Sequence, residues 1–437
     1  MALMAGRIAA LGTENAFKLG TDIARVAARG VDVVKFNLGE PDFDSPPHIN
    51  REAIRQIEAG NGHYCDPAGI TPFREAISRH IELSRGLAVP PDRIVVTPGA
   101  KPPIGHTLMA YVDPGDEVIY PSPGFPIYES WVTFVGARPA PLQLSEAKGF
   151  AFSADDLAAL ITDKTKVIVL NSPSNPTGGV LSAESLAEIA AVIRERARPD
   201  VRVYSDEVYE HILFDGESFA TIATQPGMEE RTVMVSGHSK GFAMTGWRLG
   251  WAALPTPEEA AVFKQLNINI LSCVPPFIQE AGREAYESAE TPATVARMVR
   301  AFEERRDWVV PALNAIPGVT CQMPRGAFYV FPNVAGVCER LGVVEAFEAL
   351  PADERRRASC PSAMLQMFLL YRYGVATMDR NSFGSIGADG QHYLRLSIAT
   401  SLEQLRKGVG RMAEAAEDRA GFERFLEEER LWKGGRQ

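Results

Sequence analysis

The stretch "VSGHSKGFAMTGWRLGW", Val235 to Trp251, sets two nucleophiles side by side. Gly237-His238-Ser239-Lys240-Gly241 fits the G-x-S-x-G pattern of a hydrolase elbow, which would make Ser239 an acyl-transfer nucleophile. The same letters put Lys240 just after a strand-like run, with Arg248 eight residues on. That spacing suits an amine that holds a phosphorylated carbonyl compound. The hydrolase reading needs an acid and then a histidine downstream, plus backbone donors for an oxyanion. Apart from the elbow itself only His392 follows Ser239, Asp379 or Asp389 would have to be forced into the acid role, and no HGGG-like segment appears.

The amine reading draws on three other places. "VYSDEVYEHI" ends a β-branched run on Asp206 with Tyr209 three residues later, "NSPSNPTGG" supplies Asn175, and "TPGAKPP" supplies a glycine turn, Gly99-Ala100-Lys101, that enters a helix. A pyridoxal 5'-phosphate site requires this inventory: an amine, an acid for the ring nitrogen, donors for the phenolic oxygen and an anion cradle for the phosphate.

Taken together, these segments resemble the class I/II aminotransferases, aspartate-aminotransferase-like pyridoxal-phosphate enzymes of fold type I. The likeness runs from "RGVDVVKFNLGEPDFDSP" through "HYCDPAGITPFREAI" and "SKGFAMTGWRLGW" to "RLSIATS", nearly the whole chain. It implies that Lys240 is the Schiff-base lysine and later shuttles the substrate's proton, that Asp206 faces the pyridine nitrogen, and that Tyr209 and Asn175 donate to the phenolic oxygen. Phe125 in "SPGF" matches the aromatic that stacks on the ring. Arg248 is expected on the phosphate with Ser239 and the backbone of Gly99, Ala100 and Lys101. Tyr64 resembles a residue that reaches the phosphate of a neighbouring subunit, which implies a homodimer with shared sites. Arg395 in "YLRLS" matches the arginine that grips the substrate α-carboxylate, with Gly39 in "LGEPDF" and Asn175 beside it. The Asn175–Pro176 bond is expected to be cis. The implied reaction is ping-pong transfer of an amino group between an L-amino acid and a 2-oxo acid. The alternatives are a lyase or decarboxylase on the same fold and, more remotely, a hydrolase using Ser239.

Several positions depart from the family pattern. His238 stands where relatives often carry an apolar residue, and Gly237 where many have a phosphate-binding serine, for which Ser239 or Ser236 would compensate. The segment from Val334 to Pro361 is longer than a compact member needs, and "MDRNSFGSIGADGQ" replaces a shorter loop. Both are expected near the substrate entrance, and Arg380 is a candidate for reading a distal carboxylate.

The elements that must position these residues follow from the hydrophobic pattern. Short β-branched runs, "RIVVT", "EVIYP", "KVIVLN", "VRVYSD", "TVMVSG" and "GWAAL", alternate with helical patterns such as "LAEIAAVIRERA", which predicts an α/β fold with a mostly parallel sheet flanked by helices. Ligands of such sheets bind beyond the carboxyl ends of the strands, where the unusual residues lie. In "TPEEAAVF" Thr256 is the expected N-cap, with Pro257 at the first helical position and Glu259 closing a capping box. From about residue 317 the texture changes to "RGAFYVFP", "YLRLSIAT" and a helix opened by Thr400 and Glu403. We expect a large cofactor-binding domain over residues 46–316 and a smaller α/β domain, from residues 1–45 and 317–437, that closes over the substrate. The charged tail "EDRAGFERFLEEERLWKGGRQ" reads as a solvated helix and a frayed end.

At 437 residues the chain exceeds one ordinary core, so a cleft between two domains is expected. A formal net charge of -10 argues against a broad nucleic-acid surface. Five cysteines without ligand spacing point away from a disulfide framework or metal site and suit the reducing cytoplasm. No uncharged apolar run is long enough to span a membrane.

Overall fold

The structure is a computed structural model that describes residues 3–12, 14–429 and 431. The described residues form strands β1 (Val34–Lys35), β2 (Ile94–Thr97), β3 (Glu117–Ser122), β4 (Arg138–Gln143), β5 (Thr165–Asn171), β6 (Arg202–Asp206), β7 (Thr232–Gly237), β8 (Gly250–Ala253), β9 (Tyr329–Val330), β10 (Val375–Ala376), β11 (Met378–Asp379) and β12 (Leu394–Ser397). Seven of them make the large sheet, in the order β2-β8-β7-β6-β5-β3-β4. Strand β8 runs antiparallel to both its neighbours, and every other pairing is parallel.

The continuous apolar runs follow from burial on both faces. In β5, Val167 and Val169 point into a core with Ile104, Leu108 and Phe263, while Ile168 and Leu170 point into the opposite core with Leu186 and Ile189. That alternation is the two-residue period of a strand. Six of the seven strands coincide with the runs named above. The seventh, β4, reads "RPAPLQ", and its prolines hide it from a pattern based on β-branched residues. It survives because it is the edge strand, where a missing N–H costs no ladder bond if it faces outward.

A second sheet, β11-β12-β9, is antiparallel, and β1 pairs with β10, joining Val34 to Val375 and so bringing distant parts of the chain together. The helix Asn15–Ala27 is tied to the helix Pro361–Tyr373 by a 2.9 Å bond from Arg25 to the Tyr371 hydroxyl.

Three expectations about helices need correction, and one unassigned segment proves helical. Thr256 does cap the helix Pro257–Ile270, accepting from the Glu259 N–H at 3.2 Å, but the Glu259 carboxylate turns away to Arg202 and Tyr111, so no capping box closes. The helix Leu402–Ala415 is capped by Ser401, which accepts from Gln404, and not by Thr400. The tail helix Arg419–Glu429 is not fully solvated, because Phe422 and Phe425 are buried against Phe368. Residues 334–361 fold into three short helices, Ala335–Leu341, Val343–Glu348 and Ala352–Ala358, which pack into the core through Val337, Leu341 and Val343.

Candidate active site

Beyond the carboxyl ends of β5, β6 and β7 opens a cavity of about 460 Å³, a size suited to a small-molecule ligand. Strand β5 ends at Asn171, β6 ends at Asp206, and β7 ends at Gly237, after which the short helix His238–Gly241 carries Lys240. Gly39, Ala100, Lys101, Phe125 and Asn175 line this cavity, and so do Asp206, Tyr209, Ser239, Lys240, Arg248 and Arg395. Two expected residues do not. Gly99 stands behind the wall, and Tyr64 projects away, 90% exposed.

The Lys240 amine donates to the Gly39 carbonyl at 2.6 Å and meets no carboxylate among the described residues. Burial pushes its pKa down to about 8. Asp206 is buried and accepts from the Tyr128 hydroxyl at 2.5 Å. Burial raises its pKa to about 6, against the pull of that hydrogen bond. Asn171 braces the strand ends, donating to the Asp206 carbonyl at 3.2 Å and accepting the Asn175 N–H at 3.0 Å. The Asn175–Pro176 bond is cis. The Tyr209 hydroxyl lies 2.7 Å from that of Tyr329, and burial holds its phenol well above the ordinary range.

Among the described residues, two arginines reach the cavity without an acidic partner. Arg395, on β12, is buried between the rings of Tyr329 and Phe383, at 4.6 and 5.0 Å from their centroids. It donates to the Asn37 carbonyl at 2.5 Å and to Asn175 Oδ1 at 3.3 Å, and its Nε–H has no partner among the described residues. Burial lowers its pKa. A desolvated guanidinium with a spare donor is completed by an incoming carboxylate. Arg248 has a left-handed backbone (φ 57°) and donates to the carbonyls of Thr245 at 2.7 Å and Pro98 at 3.3 Å. Its guanidinium packs so closely on Gly99 that a Cβ there would lie 2.3 Å from Nη2, and Gly99 itself has a φ of 84°. Gly99 cannot serve as an anion donor, because its N–H is taken by the Thr97 carbonyl at 2.8 Å. Pro102 and Pro103 open the next helix without N–H groups, so the free donors of this turn are those of Ala100 and Lys101.

Behind Lys240 lies a charged layer that sequence reasoning missed. Arg85, the last residue of the helix Thr71–Arg85, is buried 2.7 Å from both Glu207 and Glu210. His80, Glu210 and His211 bring ligand-type atoms within 4.8 Å of one another, but Arg85 sits on the same Glu210 oxygen that His80 contacts. The trio is thus part of an ion-pair network in which Glu210 already has a cationic partner. Ser236 donates to Glu210 at 2.6 Å, faces this layer and cannot stand in for a phosphate-binding serine, whereas Ser239 does face the cavity. His238 fills an apolar niche between Phe73, Phe242 and Tyr286, bonds the Gly282 carbonyl at 3.1 Å, and is held by burial at a pKa of about 3.

Arg380 is not a cavity residue. It is fully buried, with Gln391, the Gly384 carbonyl and Ser122 taking its donors at 2.7, 2.7 and 3.1 Å, and it pins the loop that follows it. From that loop Ser382 and Phe383 reach the cavity, while none of residues 334–361 does, contrary to expectation. Ser239 has no hydrogen bond to a histidine among the described residues, so the elbow lacks its base. The residues missed are Tyr128, Tyr329 and Glu14, each aimed at the site by contacts with sequence-distant partners.

The model of aminotransferase class I and II matches residues 31–412. A probable aspartate/prephenate aminotransferase from Aquifex aeolicus is 36% identical over 416 residues, 95% of this chain and 99% of that protein. The crystal structure of the aspartate aminotransferase from Rhizobium meliloti superposes with a TM-score of 0.85 at 34% identity, covering 95% of this chain and 99% of the other. An aromatic aminotransferase from Pyrococcus horikoshii superposes with a TM-score of 0.79 at 33% identity, covering 91% and 100%.

Proposed function

The chain belongs to the class I and II aminotransferases and transfers amino groups, and from that premise we propose that it does so with pyridoxal 5'-phosphate held by Lys240, on an L-amino acid and a 2-oxo acid in turn. The observation that carries this reading is a meeting in one cavity: an amine with its pKa brought down to about 8, a buried carboxylate, and two arginines without acidic partners among the described residues. When bound, pyridoxal phosphate supplies a carbonyl that condenses with amines and a ring that absorbs the electrons released at Cα.

The side chains divide the remaining work. Arg248, the N–H groups of Ala100 and Lys101, and Ser239 hold a phosphate dianion, for which backbone donors and a guanidinium fork are suited. Asp206, kept in place by Tyr128, presents a carboxylate to a ring nitrogen and favours its protonated form. Phe125 would stack on the cofactor ring, and Tyr209 and Asn175 would donate to its phenolic oxygen. Arg395 and the Gly39 backbone grip the α-carboxylate that donor and acceptor share, which aligns the Cα–H bond. Lys240 would hold the cofactor's carbonyl carbon and, as a free amine, would take the proton from the substrate Cα. We assign residues 46–316 to the cofactor-binding domain and 1–45 with 317–437 to the domain that closes. The exposed Tyr64 suits a homodimer in which it reaches the partner's phosphate, and five free thiols suit the cytoplasm. The family match does not favour a lyase, a decarboxylase or a hydrolase.

The test is a panel of L-amino acids and 2-oxo acids with cofactor-loaded protein, measuring both the new amino acid and the new oxo acid. Lys240→Ala is expected to lose at least about 10²-fold in turnover while keeping its circular dichroism, and Ser239→Ala to keep most activity. An active Lys240→Ala would overturn the reading.

A further inference from the structure

We propose that Glu14 sets the side-chain selectivity of this enzyme by occupying Lys101, so that its preferred donor carries an uncharged, apolar side chain instead of a second carboxylate. The proposal rests on the functional reading above and adds the substrate class to it.

Among the described residues, four cations face the cavity: Lys101, Lys240, Arg248 and Arg395. The last three are assigned to the carbonyl, the phosphate and the α-carboxylate. Lys101 alone remains to receive a distal carboxylate, and its ammonium lies 5.7 Å from the centroid of Phe125, beside the ring position. That ammonium is ion-paired with Glu14. Glu14 is the N-cap residue of the helix Asn15–Ala27, yet its side chain makes no capping bond and turns to Lys101 instead. A second carboxylate, Glu40, also lines the cavity, where it accepts from Thr245. The charge of Glu14 reaches Lys240 and Arg395 as well.

A dicarboxylic substrate would have to displace Glu14 from Lys101 and leave that carboxylate near its own. An apolar side chain leaves the pair intact. It also finds apolar company, because Phe17 and Leu38 stand at the cavity 66% and 41% exposed, and covering such surface is favourable. The relatives differ among themselves in the donors their names carry, aspartate in one and aromatic in another, so family membership does not decide the point.

The experiment measures binding and turnover separately in the cofactor-loaded protein. Binding is read by calorimetry with two inert acids, succinate and 4-methylvalerate, which cannot donate an amino group. The wild type is expected to bind 4-methylvalerate at least about tenfold more tightly than succinate. Glu14→Gln is expected to tighten succinate by about tenfold or more with little change for 4-methylvalerate, and the double variant Glu14→Gln/Lys101→Met to lose that gain. Single-turnover amino-group loss from leucine, phenylalanine and aspartate should follow the same order. Tighter succinate binding by the wild type, as when a partner subunit supplies the cation, would overturn the proposal. So would a Glu14→Gln variant that leaves succinate unchanged or weakens both acids alike. If the inert acids behave as expected but no amino acid is deaminated, the aminotransferase reading fails and the role of Glu14 stands.

Discussion

An amine attacks a carbonyl only in its neutral form, so the burial of Lys240 has a kinetic consequence for the role proposed above. With a pKa near 8 the amine is half free at that pH, whereas an ordinary lysine near 10.4 would be almost wholly protonated. In cofactor-free protein the rate of pyridoxal phosphate capture should therefore rise with pH and level off above about 8. Stopped-flow absorbance checks this, and a rate still climbing tenfold per pH unit at pH 9 would refute it. Gly99 gives a second residue-scale expectation. Alanine there would be strained at φ 84° and would push Arg248 from its place. Gly99→Ala should weaken cofactor affinity by about tenfold or more, and combining it with Arg248→Ala should add little, because the two act on one contact. Equilibrium dialysis of the two single variants and the double variant decides it.

At the scale of elements, the helix Thr71–Arg85 supports the loop after β6 through its last residue. Glu207 and Glu210 flank Tyr209 in sequence, and Arg85 holds both carboxylates. Arg85→Met would leave two buried acids without their cation and should cost about 3–5 kcal/mol, read from urea unfolding at pH 7. Arg85→Lys should recover only part, since a lysine cannot fork to two carboxylates. This layer also shows what a sequence can and cannot disclose. Asp206 and Lys240 were legible because Asp206 ends an apolar run and Lys240 follows closely on another, and strand ends are where parallel sheets carry ligands. Tyr128, Glu14 and Arg85 were not, because each acquires its role from a partner at least 78 residues away in the chain, and no local pattern marks such a pairing. The cap at Ser401 differs from the expected Thr400 by one position. Both residue types cap helices, and only the backbone path distinguishes them.

Across the whole molecule, three histidines, His106 and His238 buried and His211 half-buried, link stability to pH. Burial holds His106, His211 and His238 at about 4, 4 and 3. In the unfolded chain each would take a proton near 6.5, while the folded form resists until those lower values. The stability they allow is thus present above 6.5 and lost as pH falls toward 4, by up to about 1.4 kcal/mol per pH unit for each histidine. The pH dependence of urea unfolding between 7 and 5 should be steep, and His106→Leu should make it shallower. A slope unchanged by that substitution would remove His106 from the account.

The prolines of β4 have a role outside catalysis. Arg138 and Leu144 donate their N–H groups inward, to Asp116 and Ser122, so the residues of opposite parity, Pro139 and Pro141, face the free edge of the large sheet. An open strand with its full set of outward N–H groups is a template on which another chain can pair. Here two of those donors are missing, and the edge cannot be extended in register. The same residues that obscure β4 in the sequence thus act as a guard against self-association during folding. Replacing both with valine would complete the template. Refolding from urea at increasing protein concentration, followed by light scattering, should show aggregation setting in at lower concentration for Pro139→Val/Pro141→Val, while the protein that does refold keeps its activity.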